Sequence, residues 1–207
     1  MELLLIRHAL PLRRELVTGP ADPELSEIGL AQSQRLAEYL ATEQLHAIYA
    51  SPLNRARQTA EPLAASQGLA ITVVDDLAEW DRNSNEYVPV EELKAANDSR
   101  WKDMISDVWS GIDEDQAEFG ARVRDSMQRI IDAHPGETVA AVCHGGVINT
   151  YLSHVLGLAD RGFFYPSYTS IHRVIASRAG QRQILTLNEI AHLRGTDLLI
   201  NLHDVAR

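Results

Sequence analysis

Apolar positions come in two rhythms along this chain. Short unbroken runs appear at residues 2–6, 46–50, 71–74 and 138–142. Runs of this length without polar alternation predict strands buried on both faces, as in a parallel sheet. Between them the period lengthens to that of a helix. Ser26 reads as an N-cap for a helix from Glu27 to Thr42, whose apolar face is Leu30, Leu36, Ala37 and Leu40. Leu53–Gln67 reads as a helix ending before Gly68, with Pro62 as a kink or a second start. Val90–Val108 and Glu114–Ala133 read as helices separated at Gly111, and Val147–Leu156 as a helix opened by Gly145-Gly146. Residues 9–25 and 79–90 are polar and read as irregular. Ile171–Ser177 and Gln183–Leu187 alternate weakly around Gly180, which suits a hairpin. Strand and helix alternate, so the expected class is α/β: a three-layer sandwich with a mostly parallel central sheet and helices on both faces. Residues 1–207 are expected to form one domain, with 84–135 as a helical insertion capping the site.

Composition narrows the function classes. The 207 residues are 45% hydrophobic and 23% charged, with a formal net charge of −10. An acidic chain gives no basic face for nucleic acid or for an anionic membrane. No apolar run approaches the roughly 20 residues that span a bilayer. Cys143 is the single cysteine, so no internal disulfide can form. No signal peptide is read at the N-terminus, and the expected location is the cytoplasm.

Three strand ends carry the chemistry. Arg7-His8 closes the first run, Ser51 to Ala60 (with Arg55 and Arg57) follows the second, and His144-Gly145-Gly146 closes the fourth. Functional groups of an open α/β sheet gather outside the carboxyl ends of its strands. Neutral imidazole is a nucleophile toward phosphorus, and guanidinium donates bidentately to phosphate oxygens. Arg7 and Arg55 are therefore candidate phosphate clamps, whereas Arg57 reads as solvated. His144 is a candidate donor to phosphate, and Gly145 lets backbone N–H groups approach a ligand closely. A leaving oxygen needs a proton, and the acidic loop Asp75–Asp81 is the best source, in which Glu79 gains from following a strand and adjoining Trp80. A cysteine phosphatase loop, Cys-x5-Arg, fails because residue 149 is Asn149.

Arg7-His8-Ala9, Ser51-Pro52-Leu53-Asn54-Arg55-Ala56-Arg57-Gln58-Thr59-Ala60 and His144-Gly145-Gly146 together resemble the histidine phosphatase superfamily, the phosphoglycerate mutase-like family. Leu25-Ser26-Glu27-Ile28-Gly29 through Gln32 resembles that family's Leu-Thr-x-x-Gly-x-x-Gln stretch. The similarity runs from residue 2 to about residue 180. It implies His8 as the phosphorylated nucleophile, Arg7, Arg55 and His144 as the phosphate pocket, and Glu79 as proton donor. It implies no metal and no cofactor. The chain departs from the pattern in three places. Ala9 stands where the family has glycine. Arg14 falls near the position of the family's asparagine, so Arg13 or Arg14 is expected to add a substrate contact. Glu79-Trp80-Asp81 replaces Trp-Glu-Gly, which keeps Asp81 and Glu86 open as alternative acids.

The expected activity is hydrolysis of a small phosphorylated molecule through phosphohistidine. A phosphoglycerate mutase-type isomerase and a phosphate-binding module without catalysis are the competing readings. Acidic residues of the insertion (Asp113, Glu114, Asp115, Glu118) mildly favour a neutral or cationic leaving group, and Trp101 and Trp109 are candidates to line its pocket.

Overall fold

A computed structural model describes residues 1–105, 114–159 and 162–200. Its centre is a six-stranded sheet made of β1 (Glu2–Arg7), β3 (Ala47–Ala50), β4 (Ile71–Val73), β6 (Thr138–Cys143), β7 (Ile171–Ala176) and β8 (Arg182–Glu189). The spatial order is β4-β3-β6-β1-β7-β8. The first four are mutually parallel. β7 runs antiparallel to both β1 and β8, giving the expected hairpin.

The consecutive apolar residues of β1 follow from burial on both faces. Leu3 and Leu5 pack with Val139, Ala141 and Cys143 against α5 (Gln116–Ala133) and α6 (Gly145–Leu156). Leu4 and Ile6 pack with Ala140, Val142 and Ile48 against α1 (Glu27–Leu40) and α2 (Asn54–Gln67). The three-layer architecture is thus set by strict alternation along two short strands, with no polar position to spare.

Local signals set most helix ends. The Ser26 hydroxyl accepts from the Gly29 amide and caps α1. α2 runs through Pro62 without interruption and ends on Gly68 at φ 65°, a left-handed C-cap. The helix expected over 90–108 is instead two pieces, α3 (Val90–Ala95) and α4 (Arg100–Ile105). Asn97 lies between them at φ 53°, and Asp98 N–H closes back on the Leu93 carbonyl. That backbone reversal is a helix-stop device which asparagine tolerates, and the Asp98 carboxylate then accepts from the Arg100 amide at 3.0 Å. The end of the expected helix, residues 106–108, lies outside the described residues, as do Trp109, Gly111 and Asp113 beyond it. Residues 14–15 and 86–87, expected as loop, pair as a small antiparallel sheet, β2 with β5.

Of the expected insertion 84–135, the second half belongs to the core layer. Phe119, Val123, Met127 and Ile130 of α5 are buried against the sheet, because their helical spacing makes one continuous apolar stripe. Two of the four acidic residues expected to act on the leaving group have structural partners there, while Glu118 is exposed. Glu114 pairs with Arg122 at 2.5 Å, and Asp115 caps α5.

The segment after His8 is tied to α1. The Leu10 carbonyl accepts from both the amide and the hydroxyl of Ser26, and the Leu10 amide donates to Gln32 Oε1 at 2.9 Å. Gly29 permits this approach, since a Cβ there would collide with the Leu10 carbonyl oxygen. Gly29→Ala gains up to about 1 kcal/mol of helix propensity but forces backbone apart at a cost of roughly 1–3 kcal/mol. The steric term wins, and a lowered urea midpoint with unchanged slope is the expected outcome; a stabilised variant would contradict this packing.

Candidate active site

Sheet register assembles the site. Arg7 pairs with Cys143 and Ala50 with Val142, so His8, Ser51 and His144 emerge side by side at the carboxyl ends of three adjacent strands. The imidazoles of His8 and His144 lie 5.1 Å apart, centroid to centroid. Both are buried.

A hydrogen bond fixes the tautomer of His8. His8 Nδ1 stands 2.8 Å from the Ala9 carbonyl, which only accepts, so Nδ1 carries the proton and Nε2 keeps its lone pair. Burial, then the charges of Arg55 and Arg7, hold the His8 pKa well below its usual value. His8 is therefore neutral at neutral pH. The residue after it is held too: Ala9 N–H donates to Thr59 Oγ1 at 2.9 Å, and Thr59 donates to the Arg55 carbonyl at 2.6 Å. Ala9 does not have a left-handed φ, so alanine in place of glycine adds no backbone strain. His144 Nε2 meets Ser51 Oγ at 2.7 Å. Ser51 Oγ also accepts from the Leu53 amide and keeps a second lone pair, so it can donate to Nε2 or accept from it. With Ser51 as the donor, the His144 proton sits on Nδ1, which is buried without a partner. His144 is also kept neutral, by burial first and then by the charges of Arg55, His8 and Arg7.

Arg7 donates from Nη1 to the Pro166 carbonyl at 2.6 Å and stacks on Tyr165 and Tyr168. Arg55 donates to Asp81 at 3.0 Å and stacks on Tyr87. In both arginines Nε is buried with no partner. Two guanidinium N–H groups and, with Ser51 as the donor, one imidazole N–H are thus desolvated and unsatisfied around His8. Each buried donor left without an acceptor costs about 1–3 kcal/mol, and with the charges of Arg7 and Arg55 the arrangement suits an anion.

Glu79 lies beside these groups and is buried. Its Oε2 accepts from the Gly146 amide at 2.8 Å, in the first turn of α6. A Cβ at Gly146 would run into the Glu79 carboxyl and the Trp80 ring, which is why glycine stands there. Burial, reinforced by the Asp81 charge, pushes the Glu79 pKa up to about 7, against the opposing pull of the Gly146 amide and Arg55. Asp81 is the ion-pair partner of Arg55. Glu86 is exposed on β5 and pairs with Arg100 at 2.6 Å. Arg13 is exposed and paired with Glu15 and Glu92. Arg14 is exposed at the rim, its guanidinium 3.5 Å from the Asp22 carbonyl. Arg57 is exposed, and Trp101 is flanked by Lys94 and Lys102. Cys143 is buried, which raises its pKa and keeps it a thiol.

Sequence reasoning missed Ser51, Thr59 and the tyrosines Tyr87, Tyr165 and Tyr168. Ser51 and Thr59 stood in a strand-end segment already singled out, where a hydroxyl next to a candidate ligand was the available signal. The tyrosines come from irregular segments without periodicity. Tyr168 is set by Thr169, a β-branched residue at φ 54° whose hydroxyl bonds the Tyr168 carbonyl and His192 Nε2.

The chain is 30% identical over 201 residues to phosphoserine phosphatase 1 of Hydrogenobacter thermophilus, covering 93% of this chain and 94% of that protein. It is 32% identical over 157 residues to phosphoglycerate mutase-like protein 4 of Arabidopsis thaliana, covering 72% and 68%. A solved phosphoserine phosphatase from Entamoeba histolytica shares the fold at a TM-score of 0.72 and 23% identity, covering 93% of this chain and 98% of that one. The family model of the histidine phosphatase superfamily (branch 1) matches residues 3–190, and the chain belongs to that superfamily.

Proposed function

We propose that this histidine phosphatase hydrolyses a small phosphomonoester in two steps through His8, with Glu79 as the proton carrier. In the first step His8 Nε2 attacks phosphorus, the ester P–O bond breaks, and the leaving oxygen takes the Glu79 proton. In the second, ionised Glu79 takes a proton from water, the oxygen attacks phosphorus, and the P–N bond breaks with its electron pair returning to Nε2. Arg7, Arg55 and His144 donate to the equatorial oxygens, where charge develops in the transition state. The amide of Gly145, at the N-terminus of α6, adds a fourth donor, and Arg14 touches the outer part of the substrate. The protein acts as one domain in the cytoplasm; among the described residues no helix is long and apolar enough to cross a membrane.

The observation that carries this reading is the set of buried donors without acceptors, Arg7 Nε, Arg55 Nε and His144 Nδ1, converging beside an unprotonated His8. Rapid acid-free quenching during turnover of an aryl phosphate is expected to yield a phosphoramidate on His8, identified by mass spectrometry. Label on another residue, or none with any phosphomonoester, would overturn it. Hydrolysis accounts for turnover if phosphate is released; interconversion of phosphoglycerates without release favours the mutase chemistry instead.

A further inference from the structure

One carboxylate at the site has no place in the two-step path. Glu91, in the first turn of α3, is acidic, half-buried and directed at the tyrosine wall. Its Oε2 accepts from the Tyr168 hydroxyl at 3.1 Å, and its Oε1 is buried with no partner. Among the described residues no cation stands within hydrogen-bond reach of it. Arg7, whose charge acts on it, is committed to the Pro166 carbonyl and to the faces of Tyr165 and Tyr168. The Tyr168 ring also lies beside His8, with centroids 5.8 Å apart. Glu91 and His8 are therefore separated by a single tyrosine ring. The Tyr168 ring and hydroxyl thus link the nucleophile's imidazole to a carboxylate with one unsatisfied oxygen.

We propose that Glu91 is a specificity subsite for a primary ammonium group, so that the preferred substrates are phosphomonoesters of short amino alcohols. This rests on the hydrolytic reading of the same site. The cationic pocket of Arg7 and Arg55 takes the phosphate, and the carboxylate one ring away takes the opposite charge. The phosphate and the ammonium of such a substrate match that sequence of charges. A buried carboxylate oxygen lacking a donor is costly, and a charge-assisted bond to an ammonium satisfies it more strongly than a neutral hydroxyl does. The same charge repels a second anionic group placed there, as in phosphorylated sugar acids.

The test compares kcat/KM for O-phosphoethanolamine, propyl phosphate and 2-hydroxyethyl phosphate in the wild-type protein and in Glu91→Gln. The readout is the ratio within each protein, so any loss of folded enzyme cancels. The wild type is expected to favour the amine over the propyl ester by about 10- to 100-fold, with the hydroxyl ester close to propyl. In Glu91→Gln the ratio is expected to fall to within about threefold of unity. Equal turnover of all three esters by the wild type, a preference that survives in Glu91→Gln, or a hydroxyl ester as good as the amine would each overturn the subsite while leaving the phosphatase reading intact. Absence of turnover with every phosphomonoester tried, and of any phosphohistidine, would take down both.

Discussion

Replacing His8 by alanine is expected to lower kcat/KM for any phosphomonoester by at least about 10^4-fold, while inorganic phosphate still binds. Loss of a nucleophile removes the covalent route altogether, and reported losses for nucleophile removal in acyl-transfer enzymes reach about 10^6 in kcat. Binding survives because the anion is held by other groups: Arg7, Arg55 and His144 keep their unsatisfied donors in the variant. Those three are anchored independently of the His8 ring, through Pro166, Asp81 and Ser51 respectively. The substitution therefore separates chemistry from recognition. Kinetics with an aryl phosphate and calorimetric titration with phosphate measure the two effects. A variant that retains more than about a hundredth of wild-type activity would transfer the nucleophile's role elsewhere.

The convergence of these groups was legible in the sequence because it depends on strand ends. Arg7-His8 and Cys143-His144 each close a short apolar run, and parallel pairing of two such runs brings their ends together without further information. Arg55 was legible for the same reason, in the first turn of the helix that follows β3. Glu79 was legible as a position, but the sequence did not separate it from the other candidate acids. What separates Glu79 from Asp81 and Glu86 is burial and pairing: Asp81 is taken by Arg55 and Glu86 by Arg100. Ion pairing between residues 14 or 26 positions apart leaves no periodic trace. The split of 90–108 was readable in principle from Asn97-Asp98-Ser99, whose residues favour caps over helix interiors, but the apolar spacing on either side masked it. The tyrosine wall was not legible. Tyr165 and Tyr168 sit in a loop whose path is dictated by Arg7 and by the left-handed backbone of Thr169, both of them tertiary effects.

Glu79→Gln is expected to divide the two half-reactions. With an alkyl phosphate the leaving alkoxide needs a proton, and kcat is expected to fall by about 10^2- to 10^4-fold. With an aryl phosphate the leaving phenolate is stable without one, so His8 is still phosphorylated, but water is no longer deprotonated. A burst of phenol equal to the enzyme concentration, followed by slow turnover, is the expected trace; a uniform loss on both esters without a burst would remove Glu79 from the proton path. The raised pKa gives a second, independent readout. Glu79 titrates near 7 in the fold against 4.5 ordinarily. Between those values the folded protein binds more protons than the unfolded chain, so its stability declines as pH rises from 4.5 through 7. The carboxyl contributes most below 4.5 and is a burden of the order of 3 kcal/mol above 7. Glutamine does not titrate, so the melting temperature of the variant minus that of the wild type is expected to increase from pH 5 to pH 8. Over the same range wild-type kcat/KM for an alkyl ester is expected to decline as Glu79 loses its proton. A flat difference in melting temperature would mean that the carboxyl is ionised throughout, and an ionised carboxyl cannot protonate a leaving alcohol. Burial thus acts twice on Glu79: it holds the proton that the proposed path requires, and it destabilises the fold once that proton is lost.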